Sequence, residues 1–570
     1  MKKKAITKML ALLLVVATGV CGCGSSASDS SGSETTGTKT QTTADVTATT
    51  EAIEETTKAA AESGTLISVP DIKINPDDSV SSKDTLIIAM PSDPGTVDMH
   101  YSTAYDYVQP FIISKLLTQS FTEDGSVQAD TSEESLTDSY AYDDDFLGLT
   151  FHLKNGVKFT NGNDLTASDV IFSIKLCSDQ SYYSMIDFDN LEAVDDTTVY
   201  VPFLNADANA LYNIGVMLPI YDEQYYNELN NEAEFFSTSA IGSGPYKIVE
   251  WISGDHLTLE ANEDYFAGAP KIKNLTLRFI TDASVAFMEM QSGGVDVVTS
   301  PNWTDIGEVL NGNITGINCW EESSVYTLQL GMNCGGALSD IKLRQAVASA
   351  IDKASLVAGS FEGSGVDTYC LVSNSLPGTI DYSDKWPYAY DPEKAKELLT
   401  EAGYEPGEVE LTCIVGAGGG PRTAAAEMMV GYLDAVGIKM TIKEVDIATY
   451  ASMITDSPDQ WDLWLRNFGS GLGNAPSAHD YFAQNVEVNC FIDDQETSAK
   501  MLELAKQMGT TMDETARNEV YAQLQDYYLN DCLYTYPLLQ AKTYTLVNSD
   551  LVNFSKCGQI NWSMKDAYFK

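Results

Sequence analysis

The first aromatic residue of this 570-residue chain is Tyr101, although the chain carries 30 Tyr, 19 Phe and 7 Trp. Aromatic side chains bring the largest apolar payload of any residue type, so a packed core has to be assembled almost wholly from the chain beyond that point. The leading hundred residues need a separate account. Lys2-Lys3-Lys4 is a cationic opening, and Met9 to Val20 is an apolar run of roughly a dozen residues. That run is too short to span a bilayer and has the length of the apolar region of an export signal.

The run ends in Val20-Cys21-Gly22-Cys23. This resembles a bacterial lipobox, in which a small residue precedes the cysteine that is lipidated and becomes the first residue of the mature chain. Gly22 is small, so Cys23 is the expected lipidation site and residues 1–22 the signal peptide. From Gly24 to about Thr65 the chain is Ser, Thr, Ala and Gly with scattered Glu. Such a composition cannot bury enough apolar surface to offset chain entropy and is expected to be disordered. Residues 23–83 then read as a lipidated Cys and flexible tether, with a reach of roughly 40–45 Å. No later run is long and apolar enough to predict a membrane span. The expected location is the extracytoplasmic face of the cell membrane, held there by lipid.

The formal net charge is −49, from 82 Asp+Glu against 33 Lys+Arg. Residues 1–83 contribute only −2 of it, so the folded part is itself strongly acidic. Binding to nucleic acid, or to an anionic membrane by charge alone, needs a dense cationic face and is excluded as a function class. With 44% hydrophobic residues, most of the chain is expected to fold.

The folded part reads as mixed α and β. Asp84–Met90, Leu149–Leu153, Leu257–Leu259, Leu275–Ile280 and Lys439–Val445 have strand character. Asp340 is placed to cap a helix over Ile341–Asp352. Asp391-Pro392 is an N-cap followed by Pro at the first helical position, opening a helix that Gly403 stops. Thr423–Ala435 is a third helix. Helix and strand alternate here, as in an α/β layer.

The sequence carries no catalytic or cofactor motif. HExxH, GxSxG and DxDxDG patterns are absent, and Gly416–Thr423 is glycine-rich but lacks the GK[ST] of a phosphate-binding loop. The four histidines (His100, His152, His256, His479) are far apart, and no CxxC pair exists, so no metal, cofactor or catalytic set is expected. Eight cysteines lie beyond the export segment. Outside the membrane they are free to form disulfides; the connectivity stays open, with Cys319 and Cys334, which flank one strand-like segment, as a candidate pair.

Five blocks carry a family resemblance. Leu147–Gly162 (LGLTFHLKNGVKFTNG) runs into Leu165–Phe172 (LTASDVIF). Ile241–Trp251 (IGSGPYKIVEW) leads to Asn262–Phe266 (NEDYF). Gln291–Val297 (QSGGVDV) is the third block. Gly331–Cys334 (GMNC) with Arg344–Asp352 (RQAVASAID) is the fourth, and Tyr390–Leu399 (YDPEKAKELL) the fifth. In this order they resemble extracytoplasmic solute-binding proteins of family 5, the binding subunits of oligopeptide-, dipeptide- and nickel-type ABC importers. Most of these motif residues read as scaffold: Gly242 and Gly244 as turn formers before a strand, Thr166 as a helix cap, Arg344 and Asp352 as packing or pairing groups on one helix face.

The resemblance implies an α/β, two-lobed periplasmic-binding-protein-like clamshell with an extra inserted domain in lobe one. Mapped here, lobe one is 84–112, 238–331 and 537–570, the inserted domain is 113–237, and lobe two is 332–536. It also implies a monomer that closes on a small solute, most readily a peptide, and delivers it to ABC permease transmembrane subunits, with no catalysis of its own. A sensor of a signal peptide and an importer subunit for an oligosaccharide are the alternatives. Candidate pocket residues lie on loops that would face the cleft: Tyr101 and Tyr105 after the first strand, Trp303, Asn333 near a hinge crossing, and Phe468, Gly471 and Leu472 after a strand at Trp461–Leu465. Arg422 and Arg466 stand out in a chain poor in bases as partners for a ligand carboxylate. In peptide binders of the family an Asp soon after that strand holds the peptide amino group. Here the loop carries no acid until Asp480, so short peptides with a free amine are expected to bind weakly.

Overall fold

The computed structural model describes residues 81–98, 108–121, 127–178, 183–237, 240–361, 365–374, 376, 378–417, 420–468, 478, 490, 495–557 and 561–570. The chain enters through strand β1 (Thr85–Met90), buried over most of its length as a strand covered on both faces must be. A separate antiparallel sheet follows, built from β2 (Thr137–Tyr142), β3 (Gly148–Leu153), β4 (Glu192–Asp195) and β5 (Thr198–Pro202) in the order β2-β3-β5-β4. Helix α1 (Ala167–Leu176) lies between β3 and β4; the Asp169 carboxylate accepts hydrogen bonds from Thr166 N at 2.8 Å and Thr166 Oγ1 at 3.0 Å, closing its first turn. The chain then passes through β6 (Tyr246–Ile252), β7 (His256–Ala261), β8 (Asn274–Phe279), β9 (Val297–Val298), α2 (Trp303–Leu310) and the long strand β10 (Ile317–Met332). The second half contains α3 (Ile341–Ala350), α4 (Lys353–Ser360), β11 (Gly365–Asp367), α5 (Pro392–Glu401), β12 (Val409–Gly416), α6 (Pro421–Ala435), β13 (Ile438–Val445), α7 (Ile447–Asp456), β14 (Leu463–Phe468), α8 (Gln495–Thr510) and α9 (Glu514–Tyr527), and returns through β15 (Thr535–Asn548).

The main sheet runs β13-β12-β14-β10-β15-β9-β1-β8-β7-β6, with β11 added on β15. Its centre is the pair β10 and β15, of 16 and 14 residues, which run antiparallel along each other. The two ends of this pair lie in different hydrophobic cores. Trp320 and Val547 pack with Leu86, Phe151 and Leu275, whereas Leu328, Leu330, Tyr536 and Leu539 pack with Leu343, Leu411 and Trp464. Between the two cores the ladder slips: Ser323 faces Lys542, but Thr327 faces Gln540, so the β10 side carries extra residues at the crossing. The result is an α/β chain of two lobes joined through two strands, with a bulge where they cross.

Four sequence expectations need correction. The helix at Asp340 stops at Ala350, and Asp352 is the N-cap of the next helix, its carboxylate accepting from Ser355 N at 3.1 Å. Arg344 and Asp352 are therefore not one helix face. Arg344 is buried and donates to the carbonyls of Leu338 (2.6 Å), Ser339 (2.9 Å) and Cys532 (2.8 Å from Nη2), fixing a helix start to the end of lobe two. Gly242 and Gly244 are not among the residues with positive φ; they are required by close approach instead, since a Cβ would sit 1.8 Å from the Ile112 carbonyl oxygen and 2.5 Å from the Ile112 carbonyl carbon respectively. Cys319 and Cys334 cannot pair as expected, because nearly the whole length of β10 separates them, roughly 45–50 Å at the usual rise per strand residue.

Candidate ligand-binding cleft

Strand direction locates the site. In lobe two, β14 runs parallel to β12 and antiparallel to β10, from Leu463 opposite Met332 to Phe468 opposite Thr327. Thr327 is the residue at which the β10–β15 ladder slips, so β14 ends at the crossing. β12 and β13 run parallel to β14 through the register Cys413–Leu463 and Gly416–Val445, so all three carboxyl ends point the same way. In lobe one, β1 is parallel to β8 and β9, and β9 runs from Val297 opposite Val547 to Val298 opposite Leu546, again toward the crossing. Both lobes thus aim the carboxyl ends of parallel strands at the strand crossing, the edge where open α/β sheets take ligands.

The lobe-two edge carries two arginines. Arg466 is the third residue from the end of β14, opposite Gln329, and Arg422 lies in the first turn of α6, which follows the loop after β12. Tyr450 of α7, whose hydroxyl donates to Leu465 O at 2.7 Å, feels both: burial pushes its phenol up, and the positive charges of Arg466 and Arg422 oppose that shift. The other three arginines of the chain are committed: Arg278 to Glu289 at 3.1 Å, Arg344 to backbone carbonyls, and Arg517 to the carbonyl of Thr511 at 3.3 Å. Among the described residues neither Arg422 nor Arg466 has a carboxylate partner, and Arg466 Nη1 is buried with no hydrogen-bond acceptor. A buried guanidinium nitrogen without an acceptor is costly, and a ligand oxygen at this edge would satisfy it.

Trp303 opens α2 on the lobe-one side, half-buried, its ring 5.5 Å from that of Tyr544 on β15. Tyr544 faces Glu321 across the ladder and donates to it at 3.0 Å, and Lys542 pairs with the same carboxylate at 2.6 Å. Trp303, Tyr544, Glu321 and Lys542 thus line the crossing from lobe one; apart from Trp303 they were not expected from the sequence, because only the pairing of β10 with β15 brings them together. Asn333 is buried, and its side chain donates to Trp461 O at 2.8 Å and accepts from Gly335 N at 3.0 Å, so it braces the end of β10 against β14. Phe468 is placed by its backbone as the last residue of β14. Tyr101, Tyr105, Gly471, Leu472, Asp480 and Cys23 lie outside the described residues. Among the described residues, no group of three or more His, Cys, Asp or Glu could hold a metal. A depression of about 490 Å³ beside edge strand β13, lined by Lys443, Thr449, Ser457 and Gln460 among others, also lies in lobe two.

A sequence profile described as "Bacterial extracellular solute-binding proteins, family 5 Middle" matches residues 132–489, more than half of the chain. The chain belongs to this family. Among curated relatives of this family 5 protein, Heme-binding protein A of Haemophilus influenzae is 28% identical over 349 residues, 56% of this chain and 63% of that protein. The Oligopeptide-binding protein AppA of Bacillus subtilis is 29% identical over 376 residues, 61% of this chain and 67% of that protein. The family 5 chain thus spans about two thirds of the length of these relatives. The solved structure of AppA in complex with a nonapeptide superposes with a TM-score of 0.69 at 21% identity, covering 86% of this chain and all of that one. At that identity the likeness speaks for the two-lobed fold. No described helix of the family 5 protein is long and apolar enough to cross a membrane.

Proposed function

We propose that this protein is the lipid-anchored, extracytoplasmic solute-binding subunit of an ABC importer. It captures an oligopeptide-like solute between its lobes and hands it to the permease transmembrane subunits as a monomer. The observation that carries this reading is the pair of arginines without carboxylate partners at the strand ends of lobe two, one with an orphaned buried N–H, in a chain whose other arginines are all engaged. A ligand carboxylate placed between the lobes would satisfy that group by a charge-assisted bond. Trp303 and Tyr544 would offer aromatic faces from the opposite lobe. Relatives named for oligopeptide binding favour a peptide over an oligosaccharide.

The lobes would move about the bulge at 323–327 of β10, where the ladder is already interrupted. Residues 84–322 and the β15 end from Lys542 onward then form lobe one, with 113–237 as its inserted part, and residues from Thr327 to Ala541 form lobe two; the expected boundaries at 331/332 and 536/537 move to the bulge, because Leu328, Leu330, Leu538 and Leu539 pack in the lobe-two core. Cys23 would anchor the chain, and residues 24–80 would give it lateral reach; the expected tether boundary at 83 moves back, because Ser81 N donates to Phe569 O at 2.9 Å and Lys83 pairs with Asp296 at 2.5 Å. Arg422, Arg466, Phe468, Gly471 and Leu472 would contact ligand from lobe two, and Tyr101, Tyr105 and Trp303 from lobe one.

Mass spectrometry of the solute that co-purifies with the native lipoprotein, followed by calorimetry with the identified compound, tests this. A peptide with a free carboxylate supports the reading. An oligosaccharide would assign a different solute class, and no binding to any member of peptide and sugar libraries would contradict it. Intact mass of the membrane-extracted protein is expected to begin at a diacylated Cys23; an unmodified terminus elsewhere would remove the anchor.

A further inference from the structure

Lobe two buries cysteines that the solute-binding role does not use. Cys334 follows the end of β10, and Cys490 lies beyond β14 in the chain; both are buried, Cys490 completely. Cys334 N donates to Cys490 O at 2.8 Å, and among the described cysteines no other two share a backbone hydrogen bond. Both are free thiols in this structure, and a backbone hydrogen bond brings their main chains close to the separation of about 4.4–6.8 Å between Cα atoms at which a disulfide can form. The thiols hang from one cross-strand bridge. Met332 N donates to Tyr534 O at 3.0 Å, Cys490 Sγ donates to that same Tyr534 oxygen at 3.4 Å, and Cys334 Sγ donates to Met332 O at 3.5 Å. The two sulfurs interact: burial raises the Cys490 thiol most, and the neighbouring Cys334 adds to the shift.

We infer that Cys334 and Cys490 form a disulfide when the chain folds outside the membrane, pinning the chain beyond β14 to the end of the crossing strand. The inference rests on the extracytoplasmic setting of the proposed function, where thiols meet oxidants. The chemistry is thiol–disulfide exchange with a disulfide oxidant of that compartment. One thiolate attacks the oxidant's disulfide, forming a mixed disulfide and releasing one thiol. The second thiolate then displaces the oxidant's other sulfur. Two cysteine thiols give up two electrons and two protons, and the oxidant leaves as two thiols. Burial disfavours the thiolate, so the bond forms while the lobe is folding and resists exchange afterwards. Cys532 is the competing partner, since its carbonyl receives Arg344 at 2.8 Å in the same corner of the lobe.

The test is disulfide mapping of the full mature chain produced in an oxidising bacterial periplasm, alkylated without reduction and digested. A Cys334–Cys490 linked peptide in most molecules is the expected result. Alkylation of both residues, or a Cys490–Cys532 link, would overturn the inference. Reductant is expected to lower the melting temperature of the wild-type protein by at least about 4 °C, from the loss of a crosslink closing a long loop. That reductant effect is expected to vanish in the Cys334→Ser/Cys490→Ser double variant; an equal effect in both proteins would count against the bond. No ligand enters the mapping, so its outcome is separate from that of the solute-binding assays.

Discussion

Replacing Arg466 by Met separates a ligand-binding group from a structural one, because the two roles predict opposite effects on the free protein. The guanidinium has no carboxylate partner among the described residues and one buried nitrogen without an acceptor. Removing it leaves no described partner stranded and abolishes a desolvation cost, so the melting temperature of the ligand-free variant should stay within about 1 °C of wild type or rise. Binding should suffer. Two unit charges 4 Å apart at an effective dielectric of 20 attract by about 4 kcal/mol, an upper bound here, and a charge-assisted hydrogen bond contributes a net of roughly 1.5–3 kcal/mol. The dissociation constant for the co-purified solute should therefore rise roughly 10- to 150-fold. Arg344→Met is the contrasting control. It removes a buried guanidinium bonded to the carbonyls of Leu338, Ser339 and Cys532 and should cost about 3 kcal/mol or more, from the buried carbonyls left without a donor. Differential scanning fluorimetry and isothermal titration calorimetry on both variants decide the matter. If Arg466→Met melts as low as Arg344→Met and still binds with wild-type affinity, Arg466 is structural and the site assignment is wrong.

Gly331→Ala should cost about 3 kcal/mol or more, read as a shift in denaturation midpoint, because its Cβ would lie 1.8 Å from the buried ring of Trp464 across the β10–β14 pair. Burial lowers Lys115 to about 7 and holds Lys353 well below its ordinary value, so the unfolded chain binds more protons than the folded one above about pH 7. Through Lys115, stability should rise from about pH 7 toward 10.5, at up to about 1.4 kcal/mol per pH unit, and Lys115→Met should flatten that slope in pH-dependent melts. Asn333→Ala should lower stability by about 1–3 kcal/mol through the two backbone groups it leaves unbonded, with the dissociation constant moving less than twofold in calorimetry.

Local signals in the sequence mark the helices of lobe two well. Asp391 caps α5 by accepting from Lys394 N at 2.9 Å, and Gly403 takes a positive φ of 89° just past its end, as the Asp-Pro start and Gly stop require. The crossing was much harder to see. The middle of β10 reads Glu321-Glu322-Ser323-Ser324, polar and without a strand's alternation, and it is a strand only because β15, more than two hundred residues away, pairs with it. Trp303, Glu321, Lys542 and Tyr544 meet through that pairing, which no local signal encodes. The arginines were visible as rare bases in an acidic chain, but their lack of partners is a property of three dimensions. Asn333 shows the reverse: a residue in a family motif whose side chain is engaged with backbone. The glycines of Ile241–Tyr246 look like turn formers in sequence, whereas what they supply is close approach to Ile112.

Small-angle X-ray scattering of the mature protein, ligand-free and saturated with its co-purified solute, tests the central claim most directly. Two lobes joined through β10 and β15, with a slipped ladder between their cores, have a hinge available, and a solute held between them should draw them together. The radius of gyration is expected to fall on saturation. An unchanged radius, with saturation confirmed by calorimetry on the same sample, would contradict capture by closure of the two lobes.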